Sequence, residues 1–358
     1  MHNILDNNIL YQQGGGKKQR NSSIELFRIL ATFLVLIVHL NGWMAGGLVD
    51  WSDANITSLH KVTQLIIQSL CVVCVNCFLI ISGWYGLNLK FASIWKIWVL
   101  LFSIYVPFYL LSCMFGCTDF SIFTFIKNSL AFPCESYFVQ NYVMLMFISP
   151  VLNSFIEKHG VRHLTIFSLT LFAIEAIMES VFQNQSLYIK NGYSLFHFIT
   201  MYFLARTAYM HRNKILAVNK HYWVLGYFLC AALVCLLHFT PYKHNWAYSN
   251  PIIIIESFML FFPFLYRTFY NNFINWVAGG SLAVYVIQVT NPVCGKLFVL
   301  DQYILAHFSY TTYLIIMLFS ALLFWSVCLL YNEAIQSIII HLVKPLRNHI
   351  EIIISKFV

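Results

Sequence analysis

Apolar stretches about 20 residues long recur along this 358-residue chain, and no other feature limits its fold as strongly. A helix needs roughly this length to cross a lipid hydrocarbon core about 30 Å thick. Hydrophobic residues make up 60% of the chain and charged residues only 9%. Because soluble domains usually carry about 25% charged residues, the sequence predicts an all-α polytopic membrane protein.

The apolar stretches predict ten transmembrane helices and an orientation for them. Sorting Lys and Arg by the nearest predicted membrane end places 16 of the 21 on the side of the N-terminus. Basic residues concentrate in cytoplasmic loops, so both termini are predicted to be cytoplasmic. This distribution also explains the net charge of +8, and no nucleic-acid partner is expected. The predicted spans are 23–41, 62–84, 94–115, 137–155, 162–182, 194–210, 222–239, 251–270, 276–298 and 311–335.

One membrane domain, residues 21–335, is predicted between two short extensions. Residues 1–20 are polar and contain a run of three glycines, which is typical of a disordered cytoplasmic lead. Residues 336–358 alternate apolar residues with His, Lys and Arg. That pattern predicts a cytoplasmic amphipathic helix lying on the inner leaflet.

No metal site is predicted, although Cys71, Cys74 and Cys77 recur every three residues along the second span. Buried cysteine usually packs as a small hydrophobic residue. The sequence offers no fourth ligand close to these three thiols. We therefore interpret them as packing residues.

Arg28 and His39 lie together inside the first apolar stretch. A spacing of eleven residues places them within about 20° of one helical face and about 16 Å apart along the axis. Ionisable residues inside a membrane are costly to bury and usually mark functional sites. Glu25 precedes Arg28 by three residues and can pair with it. This helical face thus carries a basic group at its predicted inner end and, toward its outer end, an imidazole suited to proton transfer. Alternatively, His39 only packs between helices and Arg28 extends to lipid headgroups.

Four segments carry a resemblance to a known family. They occur in order along the chain and together span about residues 20–335. They resemble the membrane-bound acyltransferase-3 family, bacterial enzymes that O-acylate extracytoplasmic carbohydrates. The segments are Glu25-Leu-Phe-Arg28 with Arg28-x10-His39, Cys77-Phe-Leu-Ile-Ile-Ser82-Gly83-Trp84, the run from Tyr137 to Ser149-Pro150-Val-Leu-Asn153, and Gly279-Gly-Ser281-Leu-Ala-Val-Tyr285-Val-Ile-Gln288.

The resemblance implies an O-acyltransferase, most simply an O-acetyltransferase, in the bacterial cytoplasmic membrane. Acyl-CoA, expected to be acetyl-CoA, would be the co-substrate, and no bound cofactor is expected. The acceptor would be a hydroxyl of a surface polysaccharide or of its lipid-linked precursor. We expect His39 to act as general base and Arg28, held by Glu25, to organise the donor end.

Further polar residues are candidates for supporting roles. The acyl-CoA phosphates are expected near the inner membrane edge, close to Ser82, Lys90, Lys96 and Arg206. The family often carries Arg where this chain has Lys90 and Lys96, and His where it has Gln288. Glu175 and Glu256 lie in the outer halves of their spans and are candidate partners of His39. His197 is predicted to be a packing residue whose ring nitrogens are hydrogen-bonded.

Two other functions remain open from the sequence. A transporter or flippase for a glycan or small metabolite would use Arg28, His39 and Glu256 as residues lining its path. The chain shows no internal repeat of the kind common in transporters, which argues mildly against this alternative. An inactive structural subunit of a polysaccharide-assembly complex is the third interpretation, suggested by Gln288.

Overall fold

The computed structural model describes residues 10–11, 19–131, 136–182, 189–242 and 244–354. Within these ranges the chain is helical except for loops and one short antiparallel pair, β1 (Leu10–Tyr11) with β2 (Gln19–Arg20). The α-helices are α1 (Ser22–Val38), α2 (Ser58–Cys71), α3 (Cys74–Tyr85), α4 (Phe91–Met114), α5 (Ile122–Leu130), α6 (Tyr137–Lys158), α7 (Val161–Ser180), α8 (Leu195–Met210), α9 (Arg212–Ala217), α10 (Lys220–Leu237), α11 (Pro251–Phe261), α12 (Asn272–Gly279), α13 (Ser281–Val289), α14 (Asn291–His307) and α15 (Tyr310–Ile354). A π-helical turn, His39–Trp43, continues α1, and 3₁₀ turns occupy Lys190–Gly192 and Phe262–Tyr266.

Side-chain caps set where several of these helices begin. Asn21, Ser136 and Ser194 precede α1, α6 and α8, and each side-chain oxygen accepts a hydrogen bond from a backbone N–H in the first turn. Asn250 caps α11 in the same way and is followed by a proline. Such caps satisfy N–H groups that have no partner within the helix, and a proline in the first turn needs none.

Among the described residues, eight helical segments are long and apolar enough to cross a membrane, and they make this a multi-pass membrane protein. The all-α class is confirmed. At the other two predicted spans, 194–210 and 251–270, the structure has the shorter segments Leu195–Met210 and Pro251–Tyr266. Sixteen helical residues extend about 24 Å, less than the hydrocarbon core. The count of ten and the cytoplasmic position of the termini stay predictions. The eight segments are Ser22–Trp43, Ser58–Tyr85, Phe91–Met114, Tyr137–Lys158, Val161–Ser180, Lys220–Leu237, Asn272–Val289 and Tyr310–Glu351.

The centre of the molecule is formed by α1 and the α2–α3 segment. Their most apolar stretches are 67% and 72% buried, whereas those of α7 and α10 are only 17% buried. The outer surfaces of α7 and α10 expose large apolar side chains such as Ile166, Leu169 and Leu229. In a membrane, a helix of this kind faces lipid. The ionisable residues of α1 are therefore enclosed by protein.

The predicted ninth span, 276–298, ends earlier than expected. Thr290 adopts an extended backbone conformation after α13, and α14 continues as a separate helix. The span therefore closes at Val289, and the remaining predicted residues belong to α14. This break matters for the site because α13 packs against α1, whereas α14 reaches the segment that follows α1, where the Gln302 side chain donates to the Met44 carbonyl.

The C-terminal tail continues the last span without a break. Helix α15 contains 45 residues with Pro345 inside it, so the predicted boundary at residue 335 does not coincide with a helix end. At 1.5 Å per residue its length is about 68 Å, more than twice the hydrocarbon thickness. Most of the predicted lead, 1–20, lies outside the described residues.

Candidate functional site

The inner end of α1 carries the ion pair that the spacing predicts. Arg28 Nη1 donates to Glu25 Oε2 over 2.7 Å. The Glu25 side chain is 5% exposed and that of Arg28 is 30% exposed, so the carboxylate is enclosed while the guanidinium remains accessible. Glu25 therefore restrains Arg28 and leaves its other N–H groups available to a ligand.

An inner cavity of about 280 Å³ opens beside this pair. Arg20, Arg28, Ser82, Tyr142 and Ser281 contribute its polar groups, and Tyr285 lies among its other lining residues. The remaining wall is mainly apolar: Val35, Val75, Phe78, Ile81, Ile97, Phe138, Val139 and Leu282. A smaller cavity of about 130 Å³ adjoins it and shares Arg28 and Ser82. Two guanidinium groups against one carboxylate favour an anion here, and the apolar wall favours an uncharged chain.

An outer vestibule of about 470 Å³ contains His39. Its wall combines aromatic rings with a few hydrogen-bonding groups, a composition common in sites that bind organic ligands. The lining residues are Val35, Val38, His39, Trp43, Gln68, Val72, Val75, Ser136, Tyr137, Tyr193, Trp246, Tyr248, Tyr285, Val289 and Cys294.

The inner cavity and the outer vestibule share three lining residues, Val35, Val75 and Tyr285. We call these three shared residues the junction. The Ser136 hydroxyl donates to the Tyr285 hydroxyl over 3.0 Å and fixes that ring. Arg28 and His39 therefore line two neighbouring spaces that have the junction residues in common.

A π-helical turn positions His39 at the end of α1. Such turns are rare and often occur at functional sites. Asn41 secures the turn by donating to the Gln64 carbonyl over 3.0 Å, and the Gln64 amide donates back to the Asn41 carbonyl over 2.8 Å. The Tyr313 hydroxyl donates to the Leu40 carbonyl over 2.9 Å. Helices α2 and α15 thus hold the backbone on either side of the imidazole.

The described residues leave His39 Nδ1 buried and without a hydrogen bond. The Gln288 amide lies beside the ring but outside hydrogen-bond geometry. Because Nδ1 is enclosed while the residue lines the vestibule, Nε2 is the nitrogen left to meet a ligand. Gln288 was predicted as a supporting residue, and the structure places it next to His39.

Glu256 does not partner His39 in the structure. Its carboxyl group is buried, and neither oxygen has a hydrogen-bond partner among the described residues. The groups that interact with it belong to α2, α3 and α10: Cys71, Cys77, Tyr227 and Cys230. It lines neither the inner cavity nor the vestibule. The position of Glu256 along its span predicted the same membrane depth as that of His39. The Glu256 side chain nevertheless lies among residues of α2, α3 and α10 and not beside His39.

Glu175 belongs to a different histidine. Its Oε1 lies 2.8 Å from His197 Nδ1, and His197 Nε2 lies 2.9 Å from Asn76 Oδ1. Asn76 Nδ2 donates to the Tyr248 carbonyl over 3.0 Å, which orients the amide oxygen toward Nε2. Nε2 must therefore carry a hydrogen, and Nδ1 shares the other proton with Glu175. The prediction that Glu175 partners His39 is wrong, whereas the prediction that His197 is a satisfied packing residue is confirmed.

A second glutamate on α7, Glu179, anchors the loop between α10 and α11 through hydrogen bonds. Glu179 is hydrogen-bonded to His244 Nδ1 and accepts from the Ser249 hydroxyl over 2.6 Å. All three groups are buried. The sequence signal is the spacing of Glu175 and Glu179, four residues apart, which puts both on one face of α7. These two clusters support the wall of the vestibule, because Tyr248 and Trp246 lie on the segment that they anchor.

Of the four residues predicted near the acyl-CoA phosphates, only Ser82 lines the inner cavity. Its hydroxyl lies 3.0 Å from the Phe78 carbonyl and 3.3 Å from the Tyr142 hydroxyl. Lys90 and Lys96 are exposed and line neither inner cavity. Arg20 was not predicted as a phosphate-binding residue. It lines the inner cavity together with Arg28, and it is therefore a better candidate than Lys90 or Lys96.

Arg206 is buried, and this corrects its predicted role. Its Nη1 donates to the Trp84 carbonyl over 3.2 Å at the C-terminal end of α3. A cation there interacts favourably with the negative end of the helix dipole. Arg206 also lies over the Tyr209 ring, with 5.3 Å from its central carbon to the ring centroid. It therefore fixes α3 to α8 rather than facing a ligand cavity.

A groove of about 580 Å³ lies between α4, α5 and α14, across the first turns of α14 from the vestibule. Tyr109, Phe123 and Asn128 are among its lining residues, together with Lys127 and Lys296. None of its lining residues is acidic. Its chemistry suits an anionic ligand with an apolar or sugar portion.

The arrangement as a whole places a cavity with two guanidinium groups and a mainly apolar wall next to an aromatic vestibule that an imidazole lines. Such an arrangement can hold a charged carrier at one end and present a reactive group at the other. Comparison with protein-family models, with characterised proteins and with solved structures found no match, so the family resemblance stays a prediction.

Proposed function

We propose that this protein is a membrane-bound O-acyltransferase that passes an acyl group from cytoplasmic acyl-CoA to a hydroxyl on an extracytoplasmic glycan. One observation carries the proposal: the cavity containing Arg28 and the vestibule containing His39 meet at Val35, Val75 and Tyr285. Acyl donors are made in the cytoplasm, so a reaction on the outside requires such a passage through the membrane domain.

The donor would enter from the side of Arg20 and Arg28. Their guanidinium groups suit phosphate, which arginine binds through paired hydrogen bonds. The uncharged arm of the carrier would then extend along the apolar wall toward the junction. The axial distance from Arg28 to His39 is about 16 Å, so the anionic part and the thioester would occupy opposite ends of the passage.

His39 would act as general base on the acceptor hydroxyl in the vestibule. Its Nε2 would take the hydroxyl proton as the oxygen attacks the thioester carbon. The new C–O bond forms, the C–S bond breaks, and the proton passes to the departing thiolate to give free CoA. The products are one ester and one thiol, and no other reactant is needed.

A transporter remains the second candidate because the same two spaces also describe a permeation path. Glu256, the third residue predicted to line such a path, lies away from both spaces. A transporter would move its substrate without cleaving a thioester. Cleavage of a thioester would therefore distinguish an acyltransferase from a transporter.

The direct test is release of free thiol from acyl-CoA by purified protein in lipid vesicles, with and without acceptor glycan. We expect acceptor-dependent thiol release, and its loss by at least about 100-fold in His39→Ala, because general-base catalysis contributes about 10²–10⁴-fold. His307→Ala is the matched control, since that imidazole is exposed and bonded only to the Tyr303 carbonyl of its own helix. Unchanged thiol release in His39→Ala would remove the base assignment, and absence of release in wild-type protein would favour the transporter.

A further inference from the structure

A small space lies beside the turn that carries His39, with Leu40 and Gln288 among its lining residues. Its volume is about 30 Å³, and it is bounded by α1, α13, α14 and α15. Most of its wall is apolar, but Gln288, Asp301 and Ser320 also line it. A space of this size accommodates one water molecule when polar groups are present to bind it.

Gln288 supplies polar groups that need such a partner. Its side chain is 1% exposed, and neither amide atom has a hydrogen bond among the described residues. Burying an amide without partners is costly, so a bound water between Gln288 and the opposite wall is strongly favoured. The same amide lies beside the His39 imidazole.

Asp301 forms the opposite wall and is connected to His39 by a second route. Its carboxyl group is 4% exposed, and its Oδ2 lies 3.1 Å from the Tyr313 hydroxyl. That hydroxyl also lies 2.9 Å from the carbonyl of Leu40, the residue after His39. Asp301 thus lines the same space as the Gln288 amide and is connected through Tyr313 to the backbone of the turn that carries His39.

We propose that Asp301 is a positioning residue for His39, acting through a water bound between its carboxylate and the Gln288 amide. The Gln288 N–H would donate to this water and the water would donate to Asp301, which leaves the Gln288 oxygen turned toward the hydrogen on His39 Nδ1. This arrangement keeps the hydrogen on Nδ1, so that Nε2 is free to accept a proton. When Nε2 becomes protonated, the carboxylate stabilises the resulting cation. This inference rests on the proposed function of His39.

The titratable groups around Asp301 are few. Tyr313 contacts it from α15, Tyr310 lies next to Tyr313, and His39 lies next to Gln288 on the turn after α1. Burial raises the pKa of Asp301 to about 6. The carboxylate is therefore formed at neutral pH and lost as the pH falls below about 6.

Asp301→Asn tests the role with almost no change in side-chain size. We expect kcat to fall about 10-fold, the lower end of effects seen for groups that orient a reactive residue, with KM for acyl-CoA unchanged. Asp301→Glu should recover part of the loss, and Gln288→Ala combined with Asp301→Asn should be no worse than either alone. Asp119→Asn, an exposed outer carboxyl, is the control. A wild-type kcat in Asp301→Asn, or an effect confined to KM, would overturn the proposal.

A second readout does not depend on acyl transfer. Diethyl pyrocarbonate modifies unprotonated imidazole, and the extent at His39 is measured by mass spectrometry of its peptide across a pH series. Above about pH 6 the Asp301 carboxylate is ionised and would make the His39 imidazole more basic, so the extent of modification after a fixed short time should be smaller in Asp301→Asn than in wild type. The two proteins should become alike below that pH. Coincident curves across the whole pH series would contradict the proposal even in a protein with acyltransferase activity. Curves that differ above about pH 6 with no thiol release would instead fault the proposed function alone.

Discussion

At the scale of single residues, the accessible charges at the inner entrance differ from those chosen by sequence position. Arg28 is held by Glu25 yet still lines the inner cavity, and Arg20 joins it there. Lys90 and Lys96 lie at the same membrane edge but face away from the cavity. Charge type and depth were readable from the sequence, whereas the direction of each side chain depends on helix contacts that the sequence does not reveal.

Arg28→Ala should weaken donor use without abolishing the chemistry. The arginine is about 16 Å from His39, so its loss removes binding energy rather than a reacting group. A charge-assisted hydrogen bond contributes about 1.5–3 kcal/mol, which corresponds to a rise of roughly 10-fold or more in KM for acyl-CoA. Lys90→Ala and Lys96→Ala are the controls and should leave KM unchanged in the same thiol-release assay. A normal KM in Arg28→Ala would disprove the donor assignment.

Glu175→Ala should reduce stability, because it leaves His197 buried with one nitrogen unpartnered. Interhelical hydrogen bonds within membranes contribute about 1–2 kcal/mol, and the loss should appear as a lower unfolding midpoint of the detergent-solubilised protein. Glu157→Ala, an exposed carboxyl at the end of α6, should leave the midpoint unchanged. If the two variants unfold alike, the Glu175–His197–Asn76 connection contributes nothing to holding α7, α8 and α3 together.

At the scale of helices, the apolar runs predicted most spans to within a few residues, but breaks in the helices were harder to foresee. The π-helical turn at His39 requires Asn41 to meet Gln64 from α2 and Leu40 to meet Tyr313 from α15. Neither contact leaves a periodic signal in the sequence. The end of α13 at Thr290 does leave a local signal, because Asn291 and Pro292 follow it and a proline disfavours continuation of the preceding helix.

Gly83 is required for the close approach of α3 to α8. A Cβ at this position would lie 2.6 Å from Ala205 Cβ and 2.8 Å from the Tyr202 carbonyl oxygen. Gly83→Ala should therefore force the helices apart and destabilise the protein by about 1–3 kcal/mol, measured as a lower thermal midpoint. Gly279→Ala is the control, because no described atom lies within 4 Å of its Cβ position. Equal midpoints for both variants would contradict this account of the α3–α8 contact.

At the scale of the whole molecule, the two spaces on either side of the junction are the feature that the sequence least predicts. The stripe of Arg28 and His39 on α1 indicated an inner and an outer end. The junction between the two spaces also requires Val75 from α3 and Tyr285 from α13, far away in the chain. The fold class follows from composition, and the path follows only from how the helices pack.

The most direct measurement uses sealed vesicles with the protein in one orientation, acyl-CoA labelled in its acyl group, and acceptor glycan confined to the face opposite the N-terminus. We predict base-labile label on the glycan when acyl-CoA is supplied on the face of the N-terminus, and none when it is supplied only on the other face. Val75→Phe should block the junction and stop labelling, whereas Val224→Phe, on an exposed surface of α10, should not. Equal labelling from both faces, or full labelling in Val75→Phe, would contradict acyl transfer through this passage.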